Sequence, residues 1–214
     1  MPAPTRATSV RWPVPIALAV PALGAAITVT FSSGHSAEFG LLVFGVFALL
    51  TAAAAFFGVA ALPPGIGRAG SGVKGAVAAV GGVLGLVFAL VQGGDAVQLA
   101  AQLAFCAAGT FALLAVIDLV TGIRSRRADR FARDWITIGV IEALAAVVLL
   151  VVPPTFYQSF SFTEKTGEVI SGAVTSSTMI VGLFGAATAI LGVFLAIAGV
   201  GLIPQRERRE RATA

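Results

Sequence analysis

Apolar runs of about 18 residues or longer recur along the whole chain and constrain its fold more than any other feature. A helix needs about 20 apolar residues to cross the hydrocarbon core of a bilayer, so these runs predict transmembrane helices. Only 11% of the residues are charged, whereas soluble domains average about 25%. The chain therefore lacks the polar surface of a soluble protein, and no polar stretch is long enough for a separate soluble domain.

The predicted fold is all-α, a polytopic membrane helix bundle with six transmembrane helices. Residues 1–204 form a single membrane domain in this interpretation, and residues 205–214 form a charged tail. The first span also resembles a secretory signal peptide, because it follows a positive start and contains small residues. Its apolar run continues to Phe31, which favours a retained helix. The predicted spans cover residues 12–31, 39–62, 75–91, 97–123, 135–152 and 180–203.

The distribution of basic residues predicts how the bundle is oriented. Six spans place both termini on one side, and thirteen of the fourteen lysines and arginines lie in segments on that side: the two tails, the 63–74 loop and the loop after the fourth span. The alternate loops contain only Lys165. The positive-inside rule therefore predicts a multi-pass plasma (inner) membrane protein with both termini in the cytoplasm. This pattern explains the net charge of +4 without nucleic acid, which is not expected as a partner.

A short basic loop joins the fourth and fifth spans. Orientation alone explains its charge, although basic residues beside a span also attract anionic lipids or a protein partner. The lipid bilayer is the expected partner, and assembly with copies of the same chain is left open. The five arginines of this arginine loop are Arg124, Arg126, Arg127, Arg130 and Arg133.

One acid stands on each side of the arginine loop, Asp118 in the fourth span and Glu142 in the fifth. They are expected to be the only full charges within the apolar spans, at similar depth in the cytoplasmic leaflet. A charge at the bilayer centre costs roughly 2.5–3.5 kcal/mol, so each acid needs a partner, a proton or water. In one interpretation the two carboxyl groups are a proton-responsive pair. In the other, each is paired with a backbone group, a hydroxyl or Arg124 and only fixes the helix register.

The spans can be grouped into three helical hairpin repeats with a period of about 60 residues. Small, glycine-rich patches lie midway through each second span, at Gly45, Gly109 and Gly182 with Gly185. The third repeat contains an insertion rich in aromatic residues, which are expected to anchor in the headgroup layer as part of a loop.

The segments IDLVTGIRSR (117–126) and DWITIGVIEALAAVVLLVVPP (134–154) resemble the HdeD-like (DUF308) family of small bacterial membrane proteins. The first is similar to the Asp-Gly ending of a hairpin before a basic turn, and the second to the Trp, acid and terminal Pro of the next hairpin. Leu119 and Ala143 depart from the pattern, since the family often has glycine at both places. The resemblance implies a role in the response to acid or envelope stress without a defined chemistry.

The sequence predicts no enzyme, metal site or cofactor. A GxGxxG match at Gly65, Gly67 and Gly70 follows two prolines rather than a strand, so it indicates a flexible loop and not a dinucleotide site. With Cys106 and His35 as the only cysteine and histidine, nucleophilic and metal catalysis lack residues. Two functions are therefore considered: a structural or stress-tolerance membrane protein, or a small proton-coupled transporter or channel that uses Asp118 and Glu142.

Overall fold

The computed structural model describes residues 10–91, 94–163, 165 and 169–203. Six helices in this part of the chain are long and apolar enough to cross a membrane. The chain is therefore a multi-pass integral membrane protein built as a helical bundle. The helices are α1 (Pro13–Phe31), α2 (Ala37–Ala61), α3 (Ile66–Leu90), α4 (Ala96–Ser125), α5 (Ala132–Val151) and α6 (Ser176–Val200).

The helices form a closed ring in which each contacts the next in sequence, and α6 contacts α1. We call the end of the bundle that carries the arginine loop the arginine end, and the opposite one the far end. The most extensive contacts join α2 to α3, α4 to α5 and α6 to α1. These pairs lie between the predicted hairpin repeats rather than within them, and the repeat scheme itself stays a prediction.

The helices of each tight pair approach so closely that glycine is required at the contact. A Cβ atom on Gly82 would lie 2.9 Å from the backbone nitrogen of Leu49 in α2. One on Gly139 would lie 3.0 Å from the nitrogen of Leu119, and one on Gly192 2.9 Å from that of Leu23. Backbone atoms cannot move aside as a side chain can, so small residues at these places allow the helices to pack.

The three alternate helices α2, α4 and α6 also contact one another and form the centre of the bundle. Each contributes phenylalanine to one cluster: Phe44 and Phe47 from α2, Phe111 from α4 and Phe184 from α6. The ring of Phe184 lies 5.6 Å from that of Phe47 and 5.9 Å from that of Phe44, in edge-on geometry. Such aromatic pairs add to the burial of their apolar surface.

A two-stranded antiparallel hairpin replaces the predicted aromatic loop, so the fold is not entirely α-helical. It consists of β1 (Tyr157–Thr163) and β2 (Val169–Thr175), with Phe160 opposite Gly172. Within β1 the residues SFSFT (159–163) alternate between polar and apolar, which is the period of a strand. Phe160 and Phe162 share a face, are both exposed, and have stacked rings 6.3 Å apart.

The segment 63–74, predicted as a loop, is helical from Ile66, so α3 begins nine residues before the predicted start of the third span at Gly75. Gly65 has a φ of 151° and makes the turn after the two prolines, but Gly67 and Gly70 are helical. The other helix ends lie within four residues of their predicted places. The predicted tail at 205–214 lies outside the described residues.

Candidate functional site

Three charged side chains from three helices meet inside the bundle. The ammonium group of Lys74 in α3 donates a hydrogen bond to Oδ2 of Asp118 in α4. The same nitrogen lies 3.1 Å from Oε1 of Glu142 in α5. The side chains are only 8%, 5% and 1% exposed, in the same order. We call Lys74, Asp118 and Glu142 the triad.

The triad lies at a similar depth on all three helices. Its members are seven to ten residues from the ends of their helices at the arginine end. At about 1.5 Å per residue this is roughly 10–15 Å along the helix axes. The two acids thus meet as the sequence suggested, and they do so through a lysine.

Small residues on one face of α3 bring this lysine to the acids. Gly67, Gly70, Ser71 and Lys74 follow the i, i+3, i+4, i+7 spacing of a helix face. A Cβ atom on Gly67 would be 2.8 Å from the indole ring of Trp135 in α5. The first turns of α3 therefore pack directly onto α5 and onto α4, where Gly70 contacts Thr121.

The charges of the triad do not balance if all three groups are ionised. Two carboxylates face one ammonium, which leaves a net charge of −1. Glu142 Oε2 has no hydrogen-bond donor among the residues that the structure describes. A buried charge without full compensation costs several kcal/mol, so this surplus is the main electrostatic feature of the site.

A small cavity adjoins the triad on its arginine-end side. Its volume is about 20 Å³, which leaves room for about one water molecule. Lys74 and Asp118 line the cavity, together with Ser71 and Thr121, whereas Glu142 does not. Its wall also includes residues just outside helix ends, such as Leu62, so it extends from the triad toward the arginine end.

Comparison of the chain with protein-family models, with curated proteins and with solved structures gave no match. The resemblance to the HdeD-like family therefore has no support beyond the residues that suggested it. The function of the chain has to be inferred from the triad and the bundle themselves.

The partner of the two acids differs from the prediction. Asp118 and Glu142 are not the only charges within the spans, because Lys74 was assigned to a loop and is in fact buried in α3. Arg124, considered as a partner, is exposed. The small-residue spacing that ends at Lys74 was a signal for a helix, but its glycines suggested a flexible loop instead.

The remaining candidate residues are not brought into this site. All five arginines of the arginine loop are exposed, as contact with lipid or a partner would require. His35 lies at the far end, with Nε2 3.2 Å from the carbonyl oxygen of Val29. The thiol of Cys106 donates to the carbonyl of Gly81 at 3.7 Å. Among the described residues no group of three His, Cys, Asp or Glu side chains could hold a metal ion.

Proposed function

We propose that this chain is a non-catalytic membrane protein of the structural or stress-tolerance type, and that the triad clamps three of its helices together. The observation that carries the proposal is the position of Lys74 between carboxylates from two other helices. One buried lysine thereby fixes the register of α3, α4 and α5.

The continuity of the helices supports a structural role. Carriers commonly build a mid-membrane site from discontinuous helices whose free ends face the substrate. Here α1 continues through Pro21, and the glycine-rich α6 is unbroken from Ser176 to Val200. The cavity beside the triad has room for about one water, which is too small for an organic substrate.

The proposed location is a plasma (inner) membrane with both termini in the cytoplasm. Lys74 no longer counts as a loop charge, but twelve of the fourteen basic residues still belong to the two tails, the arginine loop and the first turn of α3, which contains Arg68. The positive-inside rule therefore gives the same orientation. The resemblance to the HdeD-like family supports a role in acid stress.

The stress role can be tested by survival of bacteria after acid shock. Cells that express the wild-type chain should survive better than cells with an empty vector. Lys74→Met should abolish the benefit at equal membrane abundance, while Lys165→Met, which removes an exposed lysine, should preserve it. Equal survival of wild-type and vector cells would refute the stress role, and full protection by Lys74→Met would refute the part given to the triad.

A second candidate, a proton-coupled transporter or channel, is favoured by one observation. Lys74 and Asp118 line a cavity that extends toward one end of the bundle, so the triad borders polar space on that side. Proton flux into liposomes that contain the purified protein would support this function if Asp118→Asn abolished it. Flux at the level of empty liposomes would exclude it.

A further inference from the structure

The charge surplus of the triad points to a bound cation that the side chains themselves do not supply. Glu142 is the most deeply buried of the three groups, at 1% exposure, and its Oε2 faces no donor among the described residues. Asp118, by contrast, accepts a hydrogen bond from Lys74 and borders the cavity. The missing positive charge therefore belongs on Glu142.

Among the described residues, no other charged side chain is placed to compensate this surplus. Glu142 lies on α5, which packs against α4 and α6, and the triad also receives Lys74 from α3. Helices α1 and α6 contain no Asp, Glu, Lys, Arg or His, and the only such residue of α2, Glu38, is in its first turn at the far end. The remaining charges of α3, α4 and α5 lie near their arginine ends: Arg68, Arg124, Arg133 and Asp134.

We propose that the triad binds one proton, on Glu142, and exchanges it only with the solution at the arginine end. The protonated cluster is neutral, with one ammonium, one carboxylate and one carboxylic acid. Both carboxyl groups contact the same ammonium nitrogen, so the carboxylate of Asp118 is close to the acid. This inference concerns the site and holds whether the protein is structural or transports protons.

The position of the cavity gives the exchange its direction. Asp118 and Lys74 line the cavity whereas Glu142 does not, so a proton from the cavity reaches Glu142 through one of these two groups. Thr121, one turn beyond Asp118 on α4, lines the cavity as well. On the far-end side the helices are closed by the phenylalanine cluster, whose Phe44, Phe111 and Phe184 are at most 1% exposed.

A proton fits this site better than a metal ion. The ammonium of Lys74 already occupies the position between the two carboxylates, 3.1 Å from one of them. A metal cation would have to lie next to this ammonium group, and two positive charges at such a distance repel each other strongly. A proton adds its charge on the carboxyl oxygen itself and needs no further ligands.

Infrared spectroscopy of the protein in liposomes tests the proposal directly. A protonated carboxylic acid has a carbonyl stretch that ionised carboxylates lack. At neutral pH this band should be present in the wild type, and labelling glutamate carboxyl carbons with ¹³C should shift it, while labelling aspartate should not. Because this experiment uses the wild-type chain, it does not depend on the folding of a variant.

Variants extend the test to the charge balance and the route. Glu142→Gln and Asp118→Asn should each abolish the band, since either leaves one acid for one lysine, and Glu38→Gln should preserve it. Thr121→Val should slow the deuterium exchange of the band about tenfold, the rate effect of roughly 1.4 kcal/mol for one lost hydrogen bond. Thr110→Val, a change on the same helix away from the cavity, should not.

Four results would overturn the inference. These are the absence of the band in the wild type, its persistence in Asp118→Asn, its shift by labelled aspartate, or its appearance only when sodium and potassium are removed. The last result would assign the site to a metal cation instead. An exchange rate that follows deuterium added at the far end would refute the proposed route.

Discussion

Replacing Lys74 by methionine tests how much the triad contributes to stability. At 3.1 Å and an effective dielectric constant of about 20, one ammonium–carboxylate contact is worth about 5 kcal/mol before desolvation. Lys74 makes one such contact, with Asp118, and a second contact with the protonated carboxyl group of Glu142, while burying its own charge costs several kcal/mol. The removal of one partner from a buried ion pair typically costs about 3–5 kcal/mol, and we expect Lys74→Met to lower the free energy of unfolding by this amount.

Thermal unfolding of the purified protein in detergent, followed by circular dichroism, measures the effect. For a chain of this length the loss corresponds to a fall of the midpoint by about 10 °C. The triple variant Lys74→Met, Asp118→Asn, Glu142→Gln removes all the charges together and should recover most of the loss, because no uncompensated carboxylate is left. Lys165→Met is the matched control and should unfold like the wild type. A Lys74→Met variant as stable as the wild type, or a triple variant no better than Lys74→Met, would refute the reasoning.

Three further predictions concern the bundle and the hairpin. Gly139→Ala places a methyl group 3.0 Å from backbone atoms of α4 and should lower the free energy of unfolding by about 1–3 kcal/mol. Gly109→Ala is the control, because its methyl group meets open space. Thermal unfolding compares the two variants, and equal midpoints would contradict the close packing. Phe184→Ala, at the fully buried centre of the aromatic cluster, should cost about 3–5 kcal/mol in the same assay, and a loss below about 1 kcal/mol would argue against a central cluster. If the hairpin lies in the headgroup layer, the fluorescence of Phe162→Trp should be quenched by lipids brominated near the headgroups, and quenching only by iodide in water would place it in solution.

The six helices could be predicted from the sequence because each contains an apolar run of the length needed to cross the hydrocarbon core of a bilayer. Three of the helices also begin directly after a capping residue. Ser36, Asp95 and Thr175 each accept a hydrogen bond from a backbone N–H in the first turn of α2, α4 and α6. These are residues that favour the start of a helix.

The start of α3 could not be predicted in this way, because its first turns contain Gly67, Gly70 and Gly72. Glycine is a poor helix former in isolation, and the helix exists here because those glycines allow contact with Trp135 and Thr121. That contact depends on α4 and α5, which local sequence does not reveal. The error at this one helix end also hid Lys74 from the interpretation of the site.

The two acids of the site were found from sequence because a charge in an apolar run stands out. Their partner Lys74 was not found, because it follows a glycine-rich stretch that also contains Arg68, and such a stretch resembles a basic turn.

The hairpin was missed for another reason. Its alternating pattern covers only residues 159–163, and aromatic residues next to a span also suit the membrane interface.

The central claim is that one lysine joins two carboxyl groups within the bundle. Nitrogen-15 NMR of the Lys74 ammonium tests this claim most directly. The chain has only two lysines, so Lys165→Met with ¹⁵N-lysine labelling leaves a single signal. In lipid bilayers, dipolar couplings should connect this nitrogen to one aspartate and one glutamate carboxyl carbon, and Asp118→Asn and Glu142→Gln should each change the coupling of their own residue. A Lys74 nitrogen that couples to neither carboxyl carbon and exchanges freely with water would contradict the account.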